Sequence, residues 1–150
     1  MVSNSQGDES MEEGGKPFEP KIIGFFCNWC SYAGADAAGT ARLQYLPNVR
    51  VVRVMCSGRV SPELIFRTLR DGADGVLVLG CHIGDCHYAE GNHRTAKRIP
   101  VLRKLLSHVG IEPERVRLEW ASSAESSKVA RVVTEFTETV RALGPLNFGR

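Results

Sequence analysis

The run Gly75-Val76-Leu77-Val78-Leu79-Gly80-Cys81-His82-Ile83-Gly84-Asp85-Cys86-His87 passes without a break from an apolar stretch into a glycine-punctuated loop with two cysteines. A short, continuous apolar run bounded by glycines is the pattern of a strand buried on both faces, as in a parallel sheet. Related stretches recur on either side, nearly continuous and apolar at 22–26 but with Arg50 and Arg53 among the valines of 49–55. Residues 22–26 read as a strand ending at Cys27, residues 49–55 as a strand ending at Cys56, and residues 116–120 as a fourth strand. Helical periodicity lies between them. A helix over about 32–45 carries the small residues Gly34, Ala35, Ala37, Ala38, Gly39 and Ala41, which let it lie close to a sheet. A second opens with Ser61 as cap and Pro62 at its first position. A third spans about 94–109, with Pro100 either kinking it or marking its start. The last starts from Ser122, with Glu125 at capping-box spacing, and stops at Gly144-Pro145. Alternating strands and helices predict a single three-layer α/β domain, a four-stranded parallel sheet with flanking helices in a flavodoxin-like or Rossmann-like topology.

The chain of 150 residues is 43% apolar and 24% charged, ordinary values for one globular domain. No apolar run approaches the roughly 18 residues of a membrane span, and the first twenty residues lack a secretory layout, so the expected address is cytoplasmic. Residues 1–20 are read as a flexible acidic tail, with Asp8, Glu9, Glu12, Glu13 and Glu19 against Lys16. Residues 21–150, the expected domain, hold 18 bases against 12 acids. Fourteen of the 19 bases are arginine, which suits carboxylate-rich protein surfaces as well as phosphates. No aromatics interleave with them as a nucleic-acid platform requires. Neither nucleotide-binding glycine motif is present, and no Ser/His/Asp or paired-carboxylate pattern stands out.

The chemistry therefore rests on five cysteines, Cys27, Cys30, Cys56, Cys81 and Cys86. Three of them close successive predicted strands. In a parallel sheet those ends share one edge, where α/β proteins gather functional groups. Adjacent strands lie about 4.8 Å apart, so the thiols fall within reach of a common inorganic centre. Cys30 would join from the first helical turn and Cys86 through the loop. An odd number of cysteines in a reducing compartment suits metal or redox work better than structural disulfides. The residues alone predict a one-electron carrier with a cysteine-ligated cluster and no substrate pocket of its own. His82 and His87 follow cysteines directly and read as loop histidines. Trp29, Tyr32, Ile83 and Tyr88 are placed to limit water access or face a partner, and Arg59 and Arg94 to dock acidic surfaces.

Cys27-Asn28-Trp29-Cys30, Arg53-Val54-Met55-Cys56-Ser57-Gly58-Arg59-Val60, the run from Gly75 through His87 to Tyr88, and Arg117-Leu118-Glu119-Trp120 together resemble the delta subunit family of methyl-viologen-reducing hydrogenase, over about residues 21–143. The resemblance implies a small iron–sulfur protein with a [2Fe-2S] centre. It implies a non-catalytic carrier that passes electrons between a hydrogenase or formate dehydrogenase module and the flavin-containing A-type subunit of heterodisulfide reductase, in anaerobic, electron-bifurcating assemblies. The site residues carry over as the five cysteines. Spacing favours Cys27, Cys30, Cys81 and Cys86 as the four ligands, while its strand-end position favours Cys56. Two other readings stand beside this one, a zinc-stabilised adaptor and a stand-alone dithiol oxidoreductase using Cys27 and Cys30.

Overall fold

The structure is a computed structural model that describes residues 18–29, 48–86, 88 and 90–147. The helix expected over 32–45, most of the acidic tail, Cys30, Tyr32 and His87 lie outside the described residues.

Strands β1 (Ile22–Cys27), β2 (Val49–Val54), β3 (Gly75–Gly80) and β4 (Val116–Trp120) pair in parallel, in the order β2-β1-β3-β4. Ile22 lies opposite Val49 on one side and Gly75 on the other, and Val76 lies opposite Val116. All six residues of β3 are buried, as its unbroken apolar sequence requires. The strand order is that of a doubly wound sheet, in which the direction of winding reverses between β1 and β3.

Side-chain alternation divides the core into two layers. Phe25, Val76 and Val78 point into one, with Ile65 and Leu69 of helix α1 (Pro62–Arg70) and Ile99, Leu102 and Leu106 of helix α2 (Gly91–His108). Ile22, Phe26, Leu77 and Leu79 point into the other, against Val129, Val132, Val133, Phe136 and Val140 of helix α3 (Ser126–Leu143). This is the expected three-layer α/β domain. Among the described residues no helix is long and apolar enough to cross a membrane.

Element boundaries follow local chemistry. Ser61 caps α1 by accepting from the Leu64 N–H at 3.1 Å, with Pro62 next to it, as its sequence predicts. Helix α2 begins at Gly91, three residues earlier than expected, and Pro100 stays inside it on the exposed side. Helix α3 begins at Ser126 rather than at Ser122. Only half of the capping box forms: the Glu125 carboxylate accepts from the Ser122 N–H at 2.9 Å, and Glu125 itself occupies the cap position.

A buried arginine ties the edge opposite the cysteines. Arg115 is 1% exposed and sits in a 3-10 turn (Pro113–Arg115) before β4. It donates to both carboxylate oxygens of Glu112, to the Asp74 carbonyl at 2.9 Å and to the Gly144 carbonyl at 2.8 Å. The Asp74 carboxylate in turn accepts from the backbone N–H groups of Lys21 and Leu146. One side chain thus joins the starts of β1, β3 and β4 to the end of α3.

Candidate metal centre

Cys27 is the last residue of β1, Cys81 follows β3 directly, and Cys56 lies two residues past β2. The register sets these three ends side by side on the carboxyl edge of the sheet, at and beside the point where winding reverses. The Cys27 and Cys81 sulfurs are 3.5 Å apart, and the Cys56 and Cys86 sulfurs 3.6 Å apart. The two pairs are neighbours, since the Cys27 sulfur lies 3.9 Å from the carbonyl of Met55, the residue before Cys56. Cys27, Cys56 and Cys86 are free thiols, and Cys81 is disulfide-bonded, so its sulfur becomes a ligand only after reduction. Four of the five sequence-predicted ligands thus meet at one edge, and Cys30 lies outside the described residues. The sulfurs form two pairs rather than a closed cage, and no cluster of three or more ligating side chains around one point exists among the described residues.

Backbone geometry brings the pairs together. After β2 the chain turns through a 3-10 turn (Ser57–Arg59), which Cys56 caps by accepting from the Gly58 N–H at 3.4 Å. That turn rests against the start of α2, so closely that a Cβ on Gly58 would come within 2.8 Å of the Gly91 carbonyl oxygen. A Cβ on Gly91 would sit 2.0 Å from the Cys56 sulfur and 3.2 Å from that of Cys86. Arg98, donating to the Gly58 carbonyl at 2.8 Å, and Thr95, donating to the Ser57 hydroxyl at 3.2 Å, hold turn and helix in this contact.

Helix α2 has no side-chain cap. Its first N–H groups turn to sulfur instead. Burial works to raise the Cys86 thiol, but the N–H groups of Tyr88, Asn92 and Gly91 and the Cys56 thiol outweigh it and hold Cys86 below its ordinary value. Cys56 is pushed up, first by burial and then by its neighbours Cys86 and Cys27, against the opposing Gly58 N–H. Among the described residues, the helix whose N–H groups act on a cysteine thiol is α2.

Residues without an obvious sequence signature hold the loop. Asn92 is fully buried and its Nδ2 donates to the Cys81 carbonyl at 3.0 Å and the His82 carbonyl at 2.7 Å, while its Oδ1 is buried without a partner. A signal for it exists in the spacing. Asn92, Thr95, Ile99, Leu102 and Leu106 follow the three- and four-residue steps of a core stripe, and an asparagine in such a stripe has a specific partner. His82 pairs with Glu125, which the imidazole and the Ser122 N–H hold down at about 2. His93 and His108 lie on α2, exposed.

Trp29 and Tyr88 meet edge-to-face at 6.4 Å between centroids, with the indole N–H donating to the phenol oxygen at 3.3 Å. They link the end of β1 to the Cys86 loop, while Ile83 is exposed. A cleft of about 500 Å³ opens beside Cys56, lined among others by Met55, Arg59, Tyr88, Gly91 and Arg94.

Known proteins share this chain's sequence over most of its length. The D-type iron-sulfur subunit of the F420-non-reducing hydrogenase of Archaeoglobus profundus is 58% identical over 133 residues, covering 89% of this chain and 97% of that protein. The D-type iron-sulfur subunit of the vhc F420-non-reducing hydrogenase of Methanococcus voltae is 48% identical over 128 residues, 85% of this chain and 89% of its own. The A-type subunit of the ferredoxin:CoB-CoM heterodisulfide reductase of Methanosarcina mazei is 44% identical over 127 residues, 85% of this chain but 16% of that much longer protein. Residues 22–144 match the family described as methyl-viologen-reducing hydrogenase, delta subunit. Because that match runs from the first residue of β1 to the glycine that ends α3, it takes in the whole sheet and its cysteine edge, and the chain belongs to the methyl-viologen-reducing hydrogenase delta-subunit family.

Proposed function

We propose that this chain is an electron-transfer subunit of a hydrogenase and heterodisulfide reductase-type complex, working in the cytoplasm with a [2Fe-2S] cluster on the sheet-edge cysteines. The observation that carries the reading is the pair of sulfur pairs. Two thiolates bound tetrahedrally to one metal at about 2.3 Å stand about 3.8 Å apart, close to the 3.6 Å between the free Cys56 and Cys86 thiols, and the Cys27 and Cys81 sulfurs, 3.5 Å apart, offer a second such pair once Cys81 is reduced. Two such pairs suit a centre of two metal atoms with two thiolates each. The donor set fits in kind as well, all sulfur and no carboxylate. Gly91 leaves the space beside Cys56 and Cys86 that any side chain would fill.

When bound, such a cluster supplies a one-electron redox site. The N–H groups of Gly58, Tyr88, Gly91 and Asn92 stabilise thiolate charge and so favour the reduced, more negative state. The Trp29–Tyr88 pair shields the rim. Cys27, Cys81, Cys56 and Cys86 are the ligands that the geometry favours, with Cys30 as the fifth candidate.

In one relative, a matching domain makes up 16% of the A-type polypeptide of a heterodisulfide reductase, which argues that the separate chain docks on an A-type, flavin-containing partner. The hydrogenase names of the other relatives support a hydrogenase as donor; a formate dehydrogenase module in the same position and electron bifurcation at the flavin are what the family resemblance implies. The dithiol reductase reading is disfavoured because Cys27 is 1% exposed, too enclosed for an attacking thiol.

Anaerobic purification with metal and sulfide analysis, followed by EPR of the dithionite-reduced protein, tests the proposal. Two irons and two sulfides per chain with an S = 1/2 signal are expected, and zinc without iron would overturn it. Cys56→Ser and Cys86→Ser should each lose most of the iron. A Cys56→Ser protein with full iron and an unchanged spectrum would return the ligand role to Cys30.

A further inference from the structure

Helix α2 has one face in the core and another that the described residues leave uncovered. Ile99, Leu102 and Leu106 are buried. Val101, Leu105 and Val109 follow one another at four-residue spacing, which stacks them into a stripe, and they are 58%, 54% and 60% exposed. Single exposed aliphatics are ordinary; an aligned stripe marks a contact surface.

The helix itself carries one sign of charge, the nearest carboxylate being Glu90 just before it, which pairs with Arg94 at 3.8 Å and lines the same cleft. The helix carries Arg94, Lys97, Arg98, Arg103 and Lys104, and no carboxylate occurs between Glu90 and Glu112. Lys97 lies one turn before Val101, and Lys104 adjoins Leu105. At the N-terminal end of the helix Arg94 reaches the cleft beside Cys56, where Arg59 lines the other wall. Stripe, basic flank and cysteine cleft therefore form one continuous surface.

We propose that this surface of α2 is the docking site for a protein partner whose matching patch is apolar at its centre and rimmed by Asp and Glu. That this partner is the one exchanging electrons with the cysteines rests on the function proposed above. The charge of the helix selects an acidic partner, and like charges turn basic surfaces away. A protein is favoured over an anionic bilayer because the stripe has no aromatic side chain to anchor at a membrane interface and because it leads into the cysteine cleft.

The test uses the tagged full chain, purified anaerobically from its own cells with its bound partners. A carbodiimide joins lysine amines directly to carboxylates, and mass spectrometry maps the links. Lys97 and Lys104 are expected to be joined to Asp or Glu of another chain. Intermolecular links confined to Lys21 or Lys128 would overturn the proposal. A Lys104→Glu, Leu105→Glu double variant should keep its iron and spectrum yet retain at least about tenfold less of the cross-linked partner; undiminished retention would overturn the proposal. Binding of the purified chain to vesicles of phosphatidylcholine with about one-third phosphatidylglycerol, lost in the double variant, would overturn it in favour of a membrane. Lys97 and Lys104 links in a protein without iron would uphold the docking site and overturn the carrier reading instead.

Discussion

A single side chain, Asn92, holds together the two backbone carbonyls that position Cys81 and His82, and it does so from the buried stripe of α2. Replacing it with alanine leaves both carbonyls and a small cavity without compensation. Asn92→Ala should lower folding stability by about 2 kcal/mol, read by chemical denaturation, and reduce bound iron per chain. Gly91 acts by having no side chain. Gly91→Ala places a carbon 2.0 Å from the Cys56 sulfur. The sulfur must move, and the expected result is a folded protein, by circular dichroism, with iron loading lost or its EPR line shape changed. The cysteines themselves are legible in the sequence because three of them end apolar runs and the others lie within a few residues of those ends. Asn92 and Gly91 are not, since their roles depend on a turn and a helix separated by some thirty residues of chain.

At the scale of elements, local rules succeed where a strong signal has no competitor. Ser61 and Pro62 start α1 because a hydroxyl acceptor beside a residue with no N–H satisfies the orphan donors of the first turn. Ser61→Ala should cost about 1 kcal/mol, seen as a lower Tm. The last helix shows the opposite case. Ser122 and Glu125 have the spacing of a capping box, yet the Glu125 carboxylate also pairs with His82 beside Cys81, and the helix starts at Ser126. A tertiary partner displaces the local pattern. Helix α2 likewise starts at Gly91 without a side-chain cap, its first residue lying against the Cys56 and Cys86 sulfurs. Pro100 marks no boundary; the buried stripe runs past it from Asn92 to Leu106.

Across the whole molecule, cysteines occupy one edge of the sheet and the Arg115 network the other. Arg115→Leu leaves the Asp74 and Gly144 carbonyls without their buried donor and should destabilise the fold by about 3 kcal/mol. The Arg115 guanidinium holds the Glu112 carboxyl below its ordinary value of 4.5. A carboxyl lowered in the folded state contributes stability that is fully present above its unfolded value and is lost as pH falls through the folded one. Denaturation midpoints should therefore fall on acidification below about pH 4.5, and less so in Glu112→Gln; parallel pH profiles for the two proteins would contradict this. The parallel α/β class and the placing of cysteines at strand ends are written in the chain itself, because burial of the central strands β1 and β3 on both faces demands unbroken apolar runs and a parallel sheet sends every strand end to one edge. Three-dimensional packing was needed to put β1 between β2 and β3, and hence to pair Cys27 with Cys81 and Cys56 with Cys86. Strand order is settled by how helices pack on the two faces, a non-local balance that no single segment records. The bare stripe of Val101, Leu105 and Val109 emerges the same way, since periodicity shows that a helix has apolar residues but not which of its faces the rest of the chain covers.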